Sequence, residues 1–276
     1  MTDSVDRVRG YYDRRGDSEW HRLALPFDGE VEWEIHRRAL ADWLPAGGRV
    51  LDVGGGPGRW AIWLAEHGHR VVLGDISPTQ LQIARRELAA AGAEVEAIIE
   101  LDARDLSQFP DQSFDAVLSL GPFYHLIEAA DRMRALTEAV RVLRPGGRLL
   151  ATVMGRYSWL LGIALEAGFR RPGDQQELLE SGAYRYQEGP FTEAYLFQPE
   201  ETAPFFEGSG LVTRRLIASQ GILNLVQERV AGLRERDDVA WTTLIDLAYE
   251  TAGDPSILGL SNHLLYVGEL PGPPVR

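Results

Sequence analysis

The ten residues Val50–Arg59 constrain the fold of this chain more than any other segment. An apolar run ends in Asp52, four of the five positions from 54 to 58 are glycine, and a helical pattern begins at Trp60. Glycine serves where a backbone must turn sharply or lie against a ligand, because it has no Cβ to clash. A strand, a glycine turn and a helix N-terminus in this order predict a nucleotide-type pocket at the carboxyl edge of a sheet.

The spacing of these glycines excludes two common nucleotide-binding loops. The dinucleotide fingerprint Gly-x-Gly-x-x-Gly requires a glycine where this chain has Arg59. The phosphate loop requires Lys followed by Ser or Thr, whereas Arg59 and Trp60 follow the glycines here. The pattern that remains is an acidic residue and alternating glycines: Asp52, Gly54, Gly56 and Gly58.

This pattern resembles the first motif of the class I S-adenosylmethionine (SAM)-dependent methyltransferases. In that family the acidic residue and the glycine backbone hold the methionine end of SAM. The resemblance therefore implies that SAM is the cofactor, that S-adenosylhomocysteine is the product, and that Asp52, Gly54, Gly56 and Gly58 bind the cofactor. An ordinary strand-to-helix turn in another α/β protein is the alternative explanation.

A second buried strand, Arg70 to Gly74, ends at Asp75. An acidic residue at this place, about 20 residues beyond the glycines, suits a ribose diol, whose hydroxyls both donate to a carboxylate. Asp75 could instead cap the following helix, but Ser77 followed by Pro78 is the better cap. We therefore predict that Asp75 is free for the ribose, with Ile76 beside it in the cofactor site.

The resemblance continues through the third, fourth and fifth strands, so that it covers about residues 49–154. The third strand ends at Asp102 and Ala103, where the family binds adenine through a carboxylate and a neighbouring backbone amide. A surface-loop role for Asp102 is the alternative. The fourth strand ends near Leu120, which we also assign to the cofactor site, and the Pro145-Gly146-Gly147 turn precedes the fifth strand.

The residues after the fourth strand lie where methyl acceptors meet the cofactor in this superfamily. His125 is the candidate base, because imidazole titrates near neutral pH, and Tyr124 is the candidate for orienting the acceptor through its hydroxyl. A packing role for His125 is the alternative. His263 lies among apolar neighbours and we expect it to be structural, whereas His36 stays open as a pocket residue.

Segments outside this core are expected to cover it. We divide the chain into an N-terminal cap (1–48), a SAM-binding core (49–154), a lid or substrate insertion (155–209) and a C-terminal part that completes the sheet (210–276). Within the cap, Glu30 to Trp43 reads as an amphipathic helix. Tyr11 is assigned to the cofactor by cation–π contact with the sulfonium, and packing of Tyr11 and Tyr12 on the core is the alternative.

The lid is rich in aromatic residues, which suit a flat or apolar small molecule. A helix from Trp159 to Ala167 is expected, and alternation at 184–186 and 192–197 predicts short strands. A dimer surface or a plain secondary core is the alternative, and a homodimer stays open. The complete pattern predicts a Rossmann-like α/β fold: a seven-stranded, mostly parallel sheet with an antiparallel last strand and helices on both faces.

Composition limits the partners of the chain. With 28 basic and 41 acidic residues the net charge is −13, which disfavours a polyanion. The segment Leu120-Gly121-Pro122-Phe123 also lacks the polar side chain that base-amine methyltransferases often carry there. We therefore expect no nucleic-acid partner. Cysteine is absent, and neither a membrane-length apolar run nor a secretory signal is visible, so we expect a cytoplasmic protein without a membrane partner.

These observations predict a SAM-dependent methyltransferase that transfers a methyl group to N or O of a small molecule by direct displacement. No convincing metal-ligand spacing is present, so no metal is assigned. Two alternatives remain open. One is a nucleic-acid or protein methyltransferase, and the other is a non-enzymatic SAM-binding scaffold.

Overall fold

The computed structural model describes residues 4–22, 29–166, 174–185 and 191–272. The strands are β1 Arg49–Val53, β2 Arg70–Asp75, β3 Ala97–Glu100, β4 Phe114–Ser119, β5 Leu143–Gly155, β6 Ala183–Tyr184, β7 Ala194–Phe197, β8 Val212–Ala218 and β9 His263–Glu269. The α-helices are α1 Ser4–Arg15, α2 Asp17–Arg22, α3 Gly29–Trp43, α4 Arg59–Glu66, α5 Pro78–Ala91, α6 Pro122–His125, α7 Ala129–Val142, α8 Arg156–Glu166, α9 Asp174–Ser181, α10 Pro199–Glu207, α11 Gln227–Val230, α12 Leu233–Arg236, α13 Asp238–Thr251 and α14 Pro255–Leu258, and a 3₁₀ helix spans Gly221–Val226.

The central sheet has the predicted mixed arrangement. Strands β3, β2, β1, β4 and β5 are neighbours in that order and run parallel. Strand β9 is antiparallel to both β5 and β8, which completes the sheet on the other side of β5. The prediction of a mostly parallel sheet with an antiparallel last strand is therefore confirmed.

The described sheet has nine strands rather than the seven that were predicted. The additional pair comes from the lid, where β6 and β7 form an antiparallel pair. Strand β5 extends beyond the end of β4, so Met154 and Gly155 have a free edge on that side, and Leu196 and Phe197 pair with them. The expected lid strands thus form, but they join the main sheet. Tyr186 and Ala167, at the ends of the predicted lid strand and helix, lie outside the described residues.

Helices cover both faces of the sheet because each face presents apolar side chains to a separate core. One core contains Ile35 and Leu40 of α3 together with Trp60 of α4, Leu73 of β2 and Ile245 of α13. The other contains, among others, Phe114, Leu136, Phe206 and Tyr266. The buried positions of α3 recur at three- and four-residue spacing, which confirms the amphipathic helix and holds its first turns beside the carboxyl edge of the sheet.

Two local predictions differ in detail. The Pro145-Gly146-Gly147 turn is an irregularity inside β5, where the pairing register with β4 shifts and Gly146 has a positive φ of 83°. The segment from Leu223 to Leu233, whose apolar pattern also predicts a helix, is divided among the 3₁₀ helix and two short α-helices, and Gly232 in a left-handed conformation starts the second of these. The division into cap, core, lid and C-terminal part remains a prediction.

Candidate active site

A cleft opens at the carboxyl edge of the parallel strands. Its walls come from the tips of β1, β2 and β4, from the loop after β3, and from the cap helices. Residues that were assigned to the cofactor from the sequence and that line this cleft are Asp52, Gly54, Gly56, Asp75, Ile76, Asp102, Ala103 and Leu120. The structure therefore brings eight of the ten assigned cofactor residues to one cleft.

Asp52, the penultimate residue of β1, lies at the base of this cleft and is almost fully buried. Its Oδ2 has no hydrogen-bond partner among the described residues. Burial, and then the charge of Asp75, raise the pKa of Asp52 to about 7. A buried carboxylate oxygen without a donor is costly, so this atom is suited to a ligand that supplies a cation or an N–H group.

The glycine turn leaves room for a ligand beside this carboxylate. Gly56 has a positive φ of 54°, and a Cβ at this position would meet nothing within 4 Å, so its backbone borders open space in the cleft. Gly58 instead has a structural role: it caps α4 at a φ of 86° and lies against Ala84 of α5, outside the cleft lining. The residues present fit the methionine end of SAM, with Asp52 for its ammonium group.

Asp75 lies at the tip of β2, as predicted, but its carboxylate is not free. The backbone N–H groups of Gly56 and Ser77 each donate to one carboxylate oxygen at 2.8 Å. Burial raises the pKa of Asp75 to about 6, although these two hydrogen bonds oppose the shift. Since a carboxylate offers about four acceptor positions, two stay available for a ribose diol. Ser77 caps α5 by accepting from the Gln80 N–H, which confirms the predicted cap.

Asp102 follows β3 at the far end of the cleft and is engaged by Arg104. The Arg104 guanidinium donates to both carboxylate oxygens of Asp102, with a shortest distance of 2.7 Å, and the Arg104 backbone N–H donates to Oδ1. The sequence analysis did not predict this ion pair, because it assigned Asp102 to adenine and did not consider Arg104. An adenine amine would share Asp102 with Arg104, and the assignment of Asp102 and Ala103 to adenine remains a prediction.

His125 lies in the cleft wall with both ring nitrogens engaged. The Glu193 carbonyl is 3.2 Å from Nδ1 and can only accept, so Nδ1 carries the hydrogen. The Tyr12 hydroxyl therefore donates to Nε2 at 2.8 Å. Burial lowers the pKa of His125 to about 4, so the imidazole is neutral at pH 7. A base role would require Tyr12 to move away.

The two candidate tyrosines of the cap have different positions. Tyr12 lines the cleft, whereas Tyr11 does not. The Tyr11 ring packs edge-on against Tyr12 and the lid residue Phe191, and its hydroxyl accepts from Arg15. The assignment of Tyr11 to the cofactor remains a prediction, and Tyr12 is the better placed of the two.

Tyr124, which follows β4, lines the cleft and forms a link to a polar cluster that sequence reasoning did not assign. Its ring stacks on His263 with centroids 5.7 Å apart. His263 begins β9 and contacts Glu32 of α3, which also lines the cleft with His36 one helical turn later. The sequence analysis missed the contact between Glu32 and His263. It placed Glu32 on the polar face of an amphipathic helix and took His263 for a packing residue. The i, i+4 spacing of Glu32 and His36 was the available signal.

Comparison with known proteins agrees with this geometry. Residues 50–147 match the family model for the methyltransferase domain. The demethylmenaquinone methyltransferase of Thermus thermophilus is 43% identical over 129 residues, which is 46% of this chain and 56% of that protein. The tRNA 5-carboxymethoxyuridine methyltransferase of Escherichia coli is 36% identical over 121 residues, which is 43% of this chain and 45% of that protein.

The fold extends beyond the matched segment. A structure from Burkholderia thailandensis, 1,6-didemethyltoxoflavin-N1-methyltransferase with bound 1,6-didemethyltoxoflavin and S-adenosylhomocysteine, aligns with a TM-score of 0.57 at 16% identity. The alignment covers 98% of this chain and 92% of that one. In sequence, the chain spans about half the length of the curated relatives it matches.

The methyltransferase-domain match and the shared fold confirm the resemblance to class I SAM-dependent methyltransferases. Within the described ranges, every helix is too short or too polar to span a bilayer. The described residues also contain no group of three or more His, Cys, Asp or Glu side chains arranged to hold a metal ion.

Proposed function

We propose that this protein is a SAM-dependent methyltransferase that acts on a nitrogen or oxygen atom of a small molecule. The observation that carries the proposal is the unpaired buried Oδ2 of Asp52, at the base of a cleft that also contains the glycine turn and Asp75. When bound there, SAM would supply a methyl group on a positively charged sulfur. Asp52 would hold its ammonium group and Asp75 its ribose.

The cap supports a small acceptor because its helices line the cleft and are tied to neighbouring elements. The Arg7 guanidinium and the Ser4 hydroxyl both donate to the Glu193 carboxylate, at 2.7 and 2.6 Å, which ties α1 to the residue before β7. On the opposite side, the Ser77 hydroxyl donates to Asp13 at 2.5 Å. A closed cleft excludes water and aligns the reactants, and alignment alone contributes up to roughly 7–11 kcal/mol to such reactions.

A tRNA substrate is the second candidate, favoured by the Escherichia coli relative, which is named for methylation of a tRNA nucleoside. Two observations weigh against it. The net charge is −13, and basic residues of the cap are paired with acidic ones, as in Arg15 and Arg22 with Glu19. A surface with few unpaired cations releases few counterions from a polyanion, so it binds weakly.

Calorimetry and a transfer assay test the proposal together. We expect S-adenosylhomocysteine to bind with a sub-millimolar dissociation constant. We also expect the methyl label of SAM to appear on members of a panel of small amines and phenols, and not on bulk tRNA. Failure of both SAM and S-adenosylhomocysteine to bind would refute the proposal. Binding without transfer to any substrate would favour the scaffold alternative, and transfer to tRNA alone would favour the nucleic-acid enzyme.

Cofactor affinity should depend on pH through Asp52. Its pKa of about 7 in the free protein means that the carboxyl becomes protonated, and loses its charge, as the pH falls below that value. An ammonium group requires the charged form, so we expect the affinity for S-adenosylhomocysteine to fall by up to about tenfold per pH unit below pH 7. Titrations between about pH 8 and about pH 5.5 measure this slope. A constant affinity over that range would contradict the assignment.

Substitution of His125 should have a modest effect. In H125N the amide nitrogen keeps the hydrogen bond to the Glu193 carbonyl and only the contact with Tyr12 is lost. We expect kcat/KM to fall by less than about tenfold, because a general base would contribute roughly 10²- to 10⁴-fold. Steady-state kinetics on the best acceptor of the panel measure the change. A loss above about 100-fold in kcat, with unchanged cofactor affinity, would show that His125 is the base after all.

A further inference from the structure

The half of the cleft beyond the cofactor residues contains a buried acidic group with a defined orientation. Glu32 is 6% exposed and lines the cleft. His263 Nδ1 and Gln220 Nε2 both donate to its Oε2, at 2.8 and 2.9 Å. Among the described residues, Oε1 has no hydrogen-bond partner. One oxygen is thus anchored and the other is left for the cleft.

The anchoring network makes this carboxylate rigid. Gln220 Oε1 accepts from the Ser261 hydroxyl at 2.8 Å, and His263 stacks on Tyr124. Burial raises the pKa of Glu32, but His263, His36 and Arg22 together outweigh this effect and lower the pKa to about 2. Glu32 therefore stays ionised, and a buried carboxylate in that state favours a cationic or strongly hydrogen-bond-donating partner.

Its position is that of the acceptor rather than the cofactor. Asp102 follows β3, Asp75 ends β2 and Asp52 is the penultimate residue of β1, and these strands are neighbours across the sheet in that order. Tyr124 follows β4, and His263 begins β9 at the end of β5, with which it pairs at Met154. Glu32 contacts His263 and so lies on the β4 and β5 side of the methionine end.

Of the other cationic groups that line the cleft, Arg59 donates to the Trp20 carbonyl and lies over the Trp20 ring, whereas Arg22 is ion-paired. Arg22 Nε donates to Glu19 Oε1 at 2.7 Å, and Arg15 Nε donates to Glu19 Oε2 at 2.9 Å. Among the described residues, the recorded ion pair of Arg22 is with Glu19 and not with Glu32. Glu32 therefore keeps its second oxygen for a ligand, next to the aromatic rings of Tyr124 and Trp60 that also line the cleft.

We propose that Glu32, positioned by His263 and Gln220, is the acceptor-binding carboxylate and that the acceptor is an amine. This proposal rests on the proposed methyltransferase function and names its substrate class. An amine that binds as the ammonium ion first releases a proton to water, and the neutral amine then gives its lone pair to the methyl carbon while the carbon–sulfur bond breaks onto sulfur. The nitrogen then carries the positive charge until it releases a proton to water. Glu32 stabilises that charge, whereas it opposes the loss of a proton from a hydroxyl acceptor.

Matched probes test the charge preference without requiring turnover. Phenethylamine, 2-phenylethanol and phenylacetate are titrated calorimetrically into the protein saturated with S-adenosylhomocysteine. We expect the amine to bind more tightly than the alcohol by about 10- to 100-fold, the range of a hydrogen bond to a charged group. E32Q should abolish this difference and leave the affinity for S-adenosylhomocysteine within about threefold, and E32D should recover part of it.

Glu34→Gln is the matched control, because it lies on the same helix but pairs with Arg37 and Arg38 instead of lining the cleft. It should keep the full preference for the amine. The proposal is overturned if no amine preference exists in the unmodified protein, if the preference survives E32Q, or if phenylacetate binds best, which would assign the site to Arg22. A loss of S-adenosylhomocysteine binding in E32Q would place Glu32 in the cofactor site.

Kinetics give an independent readout. In the transfer assay we expect products methylated on nitrogen, and E32Q should raise KM for amines more than it lowers kcat. Transfer to phenols alone would overturn the amine proposal and leave the methyltransferase proposal intact. An absence of SAM and S-adenosylhomocysteine binding would refute the methyltransferase proposal itself, so the two failures are distinguishable.

Discussion

The substitution Asp52→Asn should weaken binding of S-adenosylhomocysteine by roughly 10- to 100-fold and stabilise the free protein. The loss of affinity follows because a neutral amide cannot form a charge-assisted pair with the ammonium group. The gain of stability follows from the raised pKa of Asp52. The unfolded chain releases the Asp52 proton near its ordinary pKa of 3.8, but the folded protein holds it up to about pH 7, so folding free energy is lost as the pH rises between these values.

The sign of the stability change makes this variant informative. Stability due to Asp52 is full below its unfolded-state pKa and falls as the pH rises through the folded value of about 7. D52N removes this cost, and since the introduced amide itself lacks partners, we expect a net gain of about 1–3 kcal/mol in the free energy of unfolding near pH 8. Denaturant titration measures it. Weaker binding in a more stable protein excludes misfolding as the cause, and unchanged binding would refute the role of Asp52.

Replacement of Gly155 by Ala should destabilise the protein by about 2–3 kcal/mol. A Cβ at Gly155 would lie 2.3 Å from the backbone oxygen of Ser261, a distance at which backbone must move. The displaced segment leads into β9 and begins with the Ser261 hydroxyl that donates to Gln220, so it also carries His263. We therefore expect lower kcat/KM with little change in S-adenosylhomocysteine affinity, which depends on β1 and β2.

Gly259→Ala is the control for this substitution. It lies two positions before Ser261, has a helical φ of −69°, and a Cβ there would meet nothing within 4 Å. We expect it to be neutral or to stabilise the fold by up to about 1 kcal/mol. Thermal unfolding, denaturant titration and calorimetry compare the two variants. Equal stability of both would show that β9 tolerates the displacement, and loss of cofactor affinity in G155A would show that the two halves of the cleft are coupled.

The cofactor half of the cleft could be predicted because its signals are local. Alternating glycines specify a turn that only small residues accommodate, and an acidic residue at the end of each apolar run marks a strand tip. Parallel strands end at one edge of the sheet, so Asp52, Asp75 and Asp102 had to come together there. The sequence did not show which of these carboxylates also accept hydrogen bonds from the protein itself. The ion pair between Arg104 and Asp102 is an example.

The contacts around His125 and Glu32 could not be predicted from the sequence, because they join residues that are far apart in the chain. Tyr12 and His125 are 113 positions apart, and Glu32 and His263 are 231 apart. Reading His125 as the base and His263 as packing followed from their neighbours in sequence. The structure gives His125 two hydrogen-bond partners and places His263 against the buried Glu32.

The sequence by itself determined the class of fold and the strand tips that meet at the cleft, because apolar periodicity and glycine spacing act over a few neighbouring residues, and its resemblance to a family indicated SAM. The tertiary structure alone decided which polar residues from distant parts of the chain meet around Glu32. Packing of α3 on the sheet and pairing of β9 with β5 bring residues from opposite ends of the chain within hydrogen-bond distance. A local sequence pattern does not predict contacts between residues so far apart.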